Sequence, residues 1–149
     1  MQKESLNSLR KKLSNYRFRN ELIDFLESVI ELDPVAVILF GSLGRGEYLE
    51  DSDADVAVIL REERVNILEE MRKLKEFDEL GLIEVFPYGY RQFKDMIEDV
   101  NPFAFEILEG IIVYIGDERI VNDIYRTMEE VVKKRKVRKT EYGMVYQPV

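Results

Sequence analysis

Two apolar, β-branched runs, Val35 to Phe40 and Asp55 to Leu60, lie so close together that whatever joins them has to be compact. The first run stops at Gly41-Ser42, the second opens on Asp53-Ala54-Asp55, and ten residues separate the serine from the first aspartate. A continuous apolar run of this length reads as a strand buried on both faces, and a glycine placed directly after it marks a tight turn. The stretch Leu43 to Glu50 has room for about two helical turns, which would begin at Ser42. A strand, a glycine turn, a short helix and a second strand are therefore expected in succession, with a hydroxyl at one end of the connection and two carboxylates at the other.

The flanking patterns extend this into a mixed chain. Leu6, Leu9, Leu13 and Tyr16, then Leu22, Phe25, Leu26, Val29 and Ile30, recur at helical spacing until Asp33-Pro34 stops them. Ile67, Leu68, Met71, Leu74 and Phe77 form another apolar stripe, with Gly81 as its stop. Leu82 to Phe86 reads as a third buried strand interrupted by Glu84, after which Pro87 and Gly89 are expected to open a loop. Asn101-Pro102 predicts a capped short helix closed by Gly110, Ile111 to Ile115 a fourth strand, and Ile120 to Val132 a last helix. Beyond Thr140 the tail is expected to fray. The order of elements argues for an α/β (α+β) fold, a small mixed sheet with flanking helices.

Composition narrows the chemistry. A chain of 149 residues without repeats or linkers is expected to be one domain, residues 1–149, whose core spans about 20–136, with an N-terminal helix and a basic C-terminal helix and tail appended. There is no cysteine and no histidine, which removes thiolate zinc sites and the commonest general base. Any bound metal must then take oxygen ligands, which points to a hard cation such as magnesium or manganese. No apolar run approaches the ~20 residues of a membrane span, and residues 1–12 lack the apolar segment of a signal peptide, so a cytoplasmic protein is expected. Net charge is −8, yet residues 1–20 carry six basic side chains against Glu4, and residues 133–139 carry six more. The acidic body speaks against general nucleic-acid binding, leaving the basic ends as local features.

Gly41 lets a ligand approach the backbone, and Ser42 with the following amides suits an anion. In an extended strand Asp53 and Asp55 would leave on one face, and like charges so placed call for a cation. Glu84, set among Leu82, Ile83, Val85 and Phe86, reads as a buried carboxylate needing a partner; on a strand beside Asp53 and Asp55 it would complete a site for two divalent ions, whereas on an edge strand it would face water. Arg45, one turn into the short helix, is placed either to meet a phosphate or to pair with Glu47 or Glu50. Tyr88 and Tyr90 are candidates to flank the site and stack on a base, or simply to pack on the core.

Phe40-Gly41-Ser42, ten residues, then Asp53-Ala54-Asp55-Val56 resembles the signature of the polymerase-β-like nucleotidyltransferase superfamily. The fuller string Gly-Ser-Leu-Gly-Arg-Gly-Glu followed by Asp-Ser-Asp-Ala-Asp-Val is most similar to its minimal nucleotidyltransferase (MNT) branch, and Glu84 falls where that family places a third carboxylate. The resemblance implies an enzyme that transfers a nucleoside monophosphate, usually AMP from ATP, to an acceptor hydroxyl with release of pyrophosphate. Gly41, Ser42 and Arg45 would bind the nucleotide; Asp53, Asp55 and Glu84 would hold two Mg2+ ions, or Mn2+, and Glu84 would take the acceptor's proton. It also implies an antitoxin role, in which the acceptor is a tyrosine of a HEPN-domain toxin. A non-catalytic module that neutralises or scaffolds a partner through the same fold is the rival expectation. A homo-oligomer built on a sheet edge or the basic helix is a further one.

Overall fold

The computed structural model describes residues 2–148. In chain order the elements are β1 (Gln2–Lys3), α1 (Leu6–Lys12), α2 (Arg19–Glu31), β2 (Ala36–Phe40), α3 (Gly41–Arg45), β3 (Ala54–Leu60), α4 (Ile67–Lys75), β4 (Ile83–Gly89), α5 (Tyr90–Glu98), α6 (Pro102–Leu108), β5 (Ile111–Ile115), α7 (Glu118–Arg135), β6 (Arg138–Thr140) and β7 (Gly143–Val145). Five strands form one mixed sheet in the order β1-β5-β2-β3-β4, and β6 and β7 pair as a separate hairpin. β2 runs antiparallel to both β3 and β5, while β4 lies parallel to β3.

Alternation along the strands sorts their side chains onto two faces, and each face has its own helices. Val37, Leu39, Ala54, Val56, Val58, Ile83 and Val85 pack with residues of α1, α2 and Leu74 of α4. Ile38, Phe40, Ala57, Ile59 and Ile112 pack with residues of α5, α6 and α7 on the opposite side. Both faces being covered explains why β2 is apolar at every position, as expected for a central strand of a layered α/β domain. Each large aliphatic side chain so enclosed contributes roughly 1.5–3 kcal/mol.

β4 is an edge strand with its outer rim blunted. The Ala54 N–H donates to the Leu82 carbonyl, so in a parallel ladder alternate residues Glu84, Phe86 and Tyr88 turn their peptide groups toward β3. Ile83 turns outward, where its N–H meets Asp78 at 2.9 Å and its carbonyl accepts from Lys75. Pro87, at another outward position, has no N–H to leave unpaired. The strand therefore continues through Pro87 to Gly89, where a loop was expected.

Three other expectations need correction. The segment 90–98 is helical: the Gly89 N–H donates to Gln92 at 2.8 Å, and Phe93 and Ile97 bury themselves four residues apart. The helix after Gly41 is one turn rather than two, closed at Gly46, which has φ of 72°. The segment after Thr140 turns back as the β6–β7 hairpin, fastened by Gln147 N–H to the Arg135 carbonyl at 2.8 Å and by the Arg135 guanidinium over the Tyr146 ring.

Candidate active site

β2 delivers the chain into α3 through Gly41, whose φ of 70° belongs to the left-handed region. A Cβ built on Gly41 would stand 2.3 Å from Asp55 Oδ2, so the turn favours glycine and any side chain there would displace the carboxylate beside it. Asp55 lies in β3 opposite Phe40 of β2 and, across the parallel ladder, opposite Glu84 of β4. The strand adjacency on which the candidate site depended is thus present, with neighbouring strands about 4.8 Å apart. Alternation puts Asp55 and Glu84 on the face covered by α5 to α7, which also holds a triplet of Phe40, Phe86 and Phe103 with centroids 4.9–5.6 Å apart, Phe103 meeting the other two edge-on.

Glu84 is exposed rather than buried. Both readings of that residue meet here: it occupies an edge strand and faces solvent, yet it stands beside Asp55. Asp55 is half-buried, and its carboxyl is pushed up to about 6, first by burial and then by the charges of Glu84 and Glu106, with Asp53 adding less. Asp55 and Glu84 are close enough to share a hydrogen bond when one of them is protonated.

Asp53 sits in the loop immediately before β3, exposed, so its position is set by that loop and not by a strand ladder. Among the described residues, no three carboxylates stand placed to enclose a metal ion as their side chains lie. The donor set nevertheless suits a hard cation: every donor is a carboxylate oxygen, Asp55 is destabilised by like charge, and no basic side chain pairs with it. Arg45 is engaged with Glu47 at 3.1 Å and Glu106 at 3.7 Å. Of the partners expected for Arg45 the structure shows Glu47 and not Glu50, and both carboxylate pairs are exposed and weakly held.

Glu106 is the member of this cluster that sequence reasoning missed. Its helix was legible from Asn101-Pro102, and the Asn101 side chain does accept from Phe103 N–H at 2.9 Å. What the sequence lacked was how α6 packs against β2. Of the two tyrosines considered for base stacking, Tyr88 lies toward the other end of β4, about 13 Å along the strand from Glu84, and Tyr90 opens α5 just beyond it. Tyr88 packs against Phe93 and Tyr90 donates to Glu63 at 3.3 Å. A cavity of about 740 Å3 opens between α1 and α3, with Lys12, Leu13, Arg45, Tyr48 and Glu109 in its walls, and none of Asp53, Asp55 and Glu84 borders it.

A glycine turn, a carboxylate in the adjacent strand and a second carboxylate in register on the next one is an arrangement that can be compared with known families. Residues 20–146 match the family described as the nucleotidyltransferase domain. The chain belongs to that family. The match takes in β2, α3, β3 and β4 and so covers every candidate site residue, while β1, α1 and the connector before α2 precede it. The family supports nucleotidyl transfer as the general activity of this nucleotidyltransferase, and such domains generally use a nucleoside triphosphate and a divalent metal. No curated protein matches the chain. Among the described residues, no helix is long and apolar enough to cross a membrane.

Proposed function

We propose that this nucleotidyltransferase transfers a nucleoside monophosphate, AMP from ATP, to a hydroxyl group on a partner protein. The observation that carries this reading is the register of Asp55 with Glu84 beside Gly41, within the span of the family match. Gly41 and Ser42 would hold the β and γ phosphates, with Arg45 released from its exposed carboxylate partners to meet a phosphate oxygen. Asp53, Asp55 and Glu84 would hold two magnesium ions, or manganese in their place, which when bound neutralise charge on the attacking and leaving oxygens. The acceptor oxygen forms a bond to the α-phosphorus as the bond to the bridging oxygen breaks, pyrophosphate leaves, and the acceptor's proton passes to Glu84. With no histidine in the chain, a carboxylate is the available base.

For the acceptor we infer a tyrosine of a HEPN-domain toxin, which would make the chain its antitoxin in the cytoplasm. This finer reading rests on the similarity of residues 41–47 and 51–56 to the MNT branch. Incubation with each labelled nucleoside triphosphate, magnesium and a candidate HEPN partner should label the partner on tyrosine with one nucleotide. A variant with Asp53, Asp55 and Glu84 all changed to amides should bind the partner and leave it unlabelled. Neutralisation of the partner by that variant to the wild-type extent, without nucleotide, would establish the binding-module reading instead.

A further inference from the structure

Asp53 lies outside the strand ladder, so something else must fix it, and the contacts that do so come from the N-terminal segment preceding the family match. The Tyr16 hydroxyl donates to the carbonyl of Ser52, the residue before Asp53, at 2.6 Å. One residue on, the Arg17 N–H donates to the Glu50 carbonyl at 2.8 Å. In return the Tyr48 hydroxyl reaches the Lys12 carbonyl at 3.0 Å. The loop is also closed on itself, since Leu49 N–H donates to Ser52 Oγ at 2.8 Å and Ser52 N–H to the Leu49 carbonyl at 3.2 Å.

Tyr16 is the centre of this arrangement. Its ring is only 4% exposed and meets Phe18 and Tyr48 edge-on at 5.9 and 5.8 Å, so the phenol has little freedom to swing away. Nothing about packing alone requires a hydroxyl there; phenylalanine would fill the same volume. Among the described residues, the hydroxyl's partner is the peptide carbonyl one bond from Asp53. Burial raises the phenol to about 12, helped by the neighbouring Asp53 charge, so it stays a donor at any working pH.

We propose that Tyr16 is a positioning residue for Asp53: the connector between α1 and α2 clamps the loop from Tyr48 to Ser52 and so sets where the first carboxylate stands relative to Asp55 and Glu84. This rests on the reading of those carboxylates as a metal-holding site. It implies that residues before position 20, although outside the family match, are part of the working site.

The test uses the full chain without nucleotide and measures Mn2+ binding by the loss of the free-ion paramagnetic signal, for the wild type, Tyr16→Phe and Asp53→Asn. Amide hydrogen exchange of residues 49–53 and the melting temperature are recorded on the same samples. The clamp predicts that Tyr16→Phe weakens Mn2+ binding roughly fivefold, the size of one net hydrogen bond, and accelerates loop exchange, with a melting temperature within a few degrees of wild type. Wild-type Mn2+ affinity in Tyr16→Phe would overturn the proposal while leaving the metal reading intact. Wild-type Mn2+ binding that Asp53→Asn leaves unchanged would overturn the metal reading, and the clamp's function with it.

Discussion

Asp55 carries the most disturbed carboxyl beside the glycine turn, and the disturbance has a sign that can be measured. Its folded-state value of about 6 lies above the ordinary 3.8, so between those values the folded chain binds more protons than the unfolded one. Stability from this group is therefore greatest at low pH and is lost as pH rises through about 6. Asp33, Asp78 and Asp123 are held below the ordinary value and act in the opposite sense, so the comparison that isolates Asp55 is with Asp55→Asn. In metal-free protein the amide variant should melt a few degrees higher than wild type at pH 7, and the gap should close as pH falls toward 4; a variant that melts lower at pH 7 would contradict this. Saturating Mn2+ should narrow the same gap from the other side by stabilising the wild type. Gly41→Ala should lose at least about 1–2 kcal/mol from its left-handed backbone alone, and the clash with Asp55 should remove transfer as well. Urea unfolding and a transfer assay on the same variant check both halves.

The elements that present these residues were legible to differing degrees. The runs at 35–40 and 55–60 stand out because a strand covered on both faces has to be continuously apolar, and Gly41 marks where the first must turn. The third strand was visible by the same logic, but its continuation through Pro87 was not, since proline ordinarily ends a strand and only its outward place on an edge permits it. The helix 90–98 carried a signal in Phe93, Ile97 and the cap glutamine Gln92, masked by the turn residues in front of it. The packing of α6 against β2, which brings the Glu106 charge near Asp55, depends on contacts between distant segments and leaves no local mark. A prediction belongs to the start of β4. Asp78, with a side chain only 3% exposed, accepts from Lys75, Leu82 and Ile83, and so fixes the strand that presents Glu84. Burial raises its carboxyl, but Lys75 and the two amides outweigh that and hold it below the usual range. Asp78→Ala should destabilise the fold by about 1–3 kcal/mol, as two amides and an ammonium lose their partner, and should lower transfer in step with the displacement of Glu84. Denaturant titration and initial rates, measured together, separate the two effects; a stable variant with wild-type rates would show that Asp78 has no such role.

Across the whole molecule, the charge pattern divides into an acidic body and basic ends, of which the C-terminal one is partly engaged. Arg135 donates to the Gln147 carbonyl and the Glu98 carbonyl, and Lys139 pairs with Glu109, so part of the basic run at 133–139 serves to fasten the hairpin. With a net charge of −8 the chain should show no salt-sensitive binding to single- or double-stranded nucleic acid at physiological ionic strength, which a fluorescence anisotropy titration would check. The central claim is that Asp53, Asp55 and Glu84, delivered by a loop and two parallel strands, act as one site. Its most direct test is the initial rate of nucleotide transfer to the proposed partner protein at saturating magnesium, for the wild type and for Asp53→Asn, the latter shown by its melting curve to be folded. A loss of at least about 100-fold is expected in the variant. A folded Asp53→Asn that transfers nucleotide at close to the wild-type rate would contradict it.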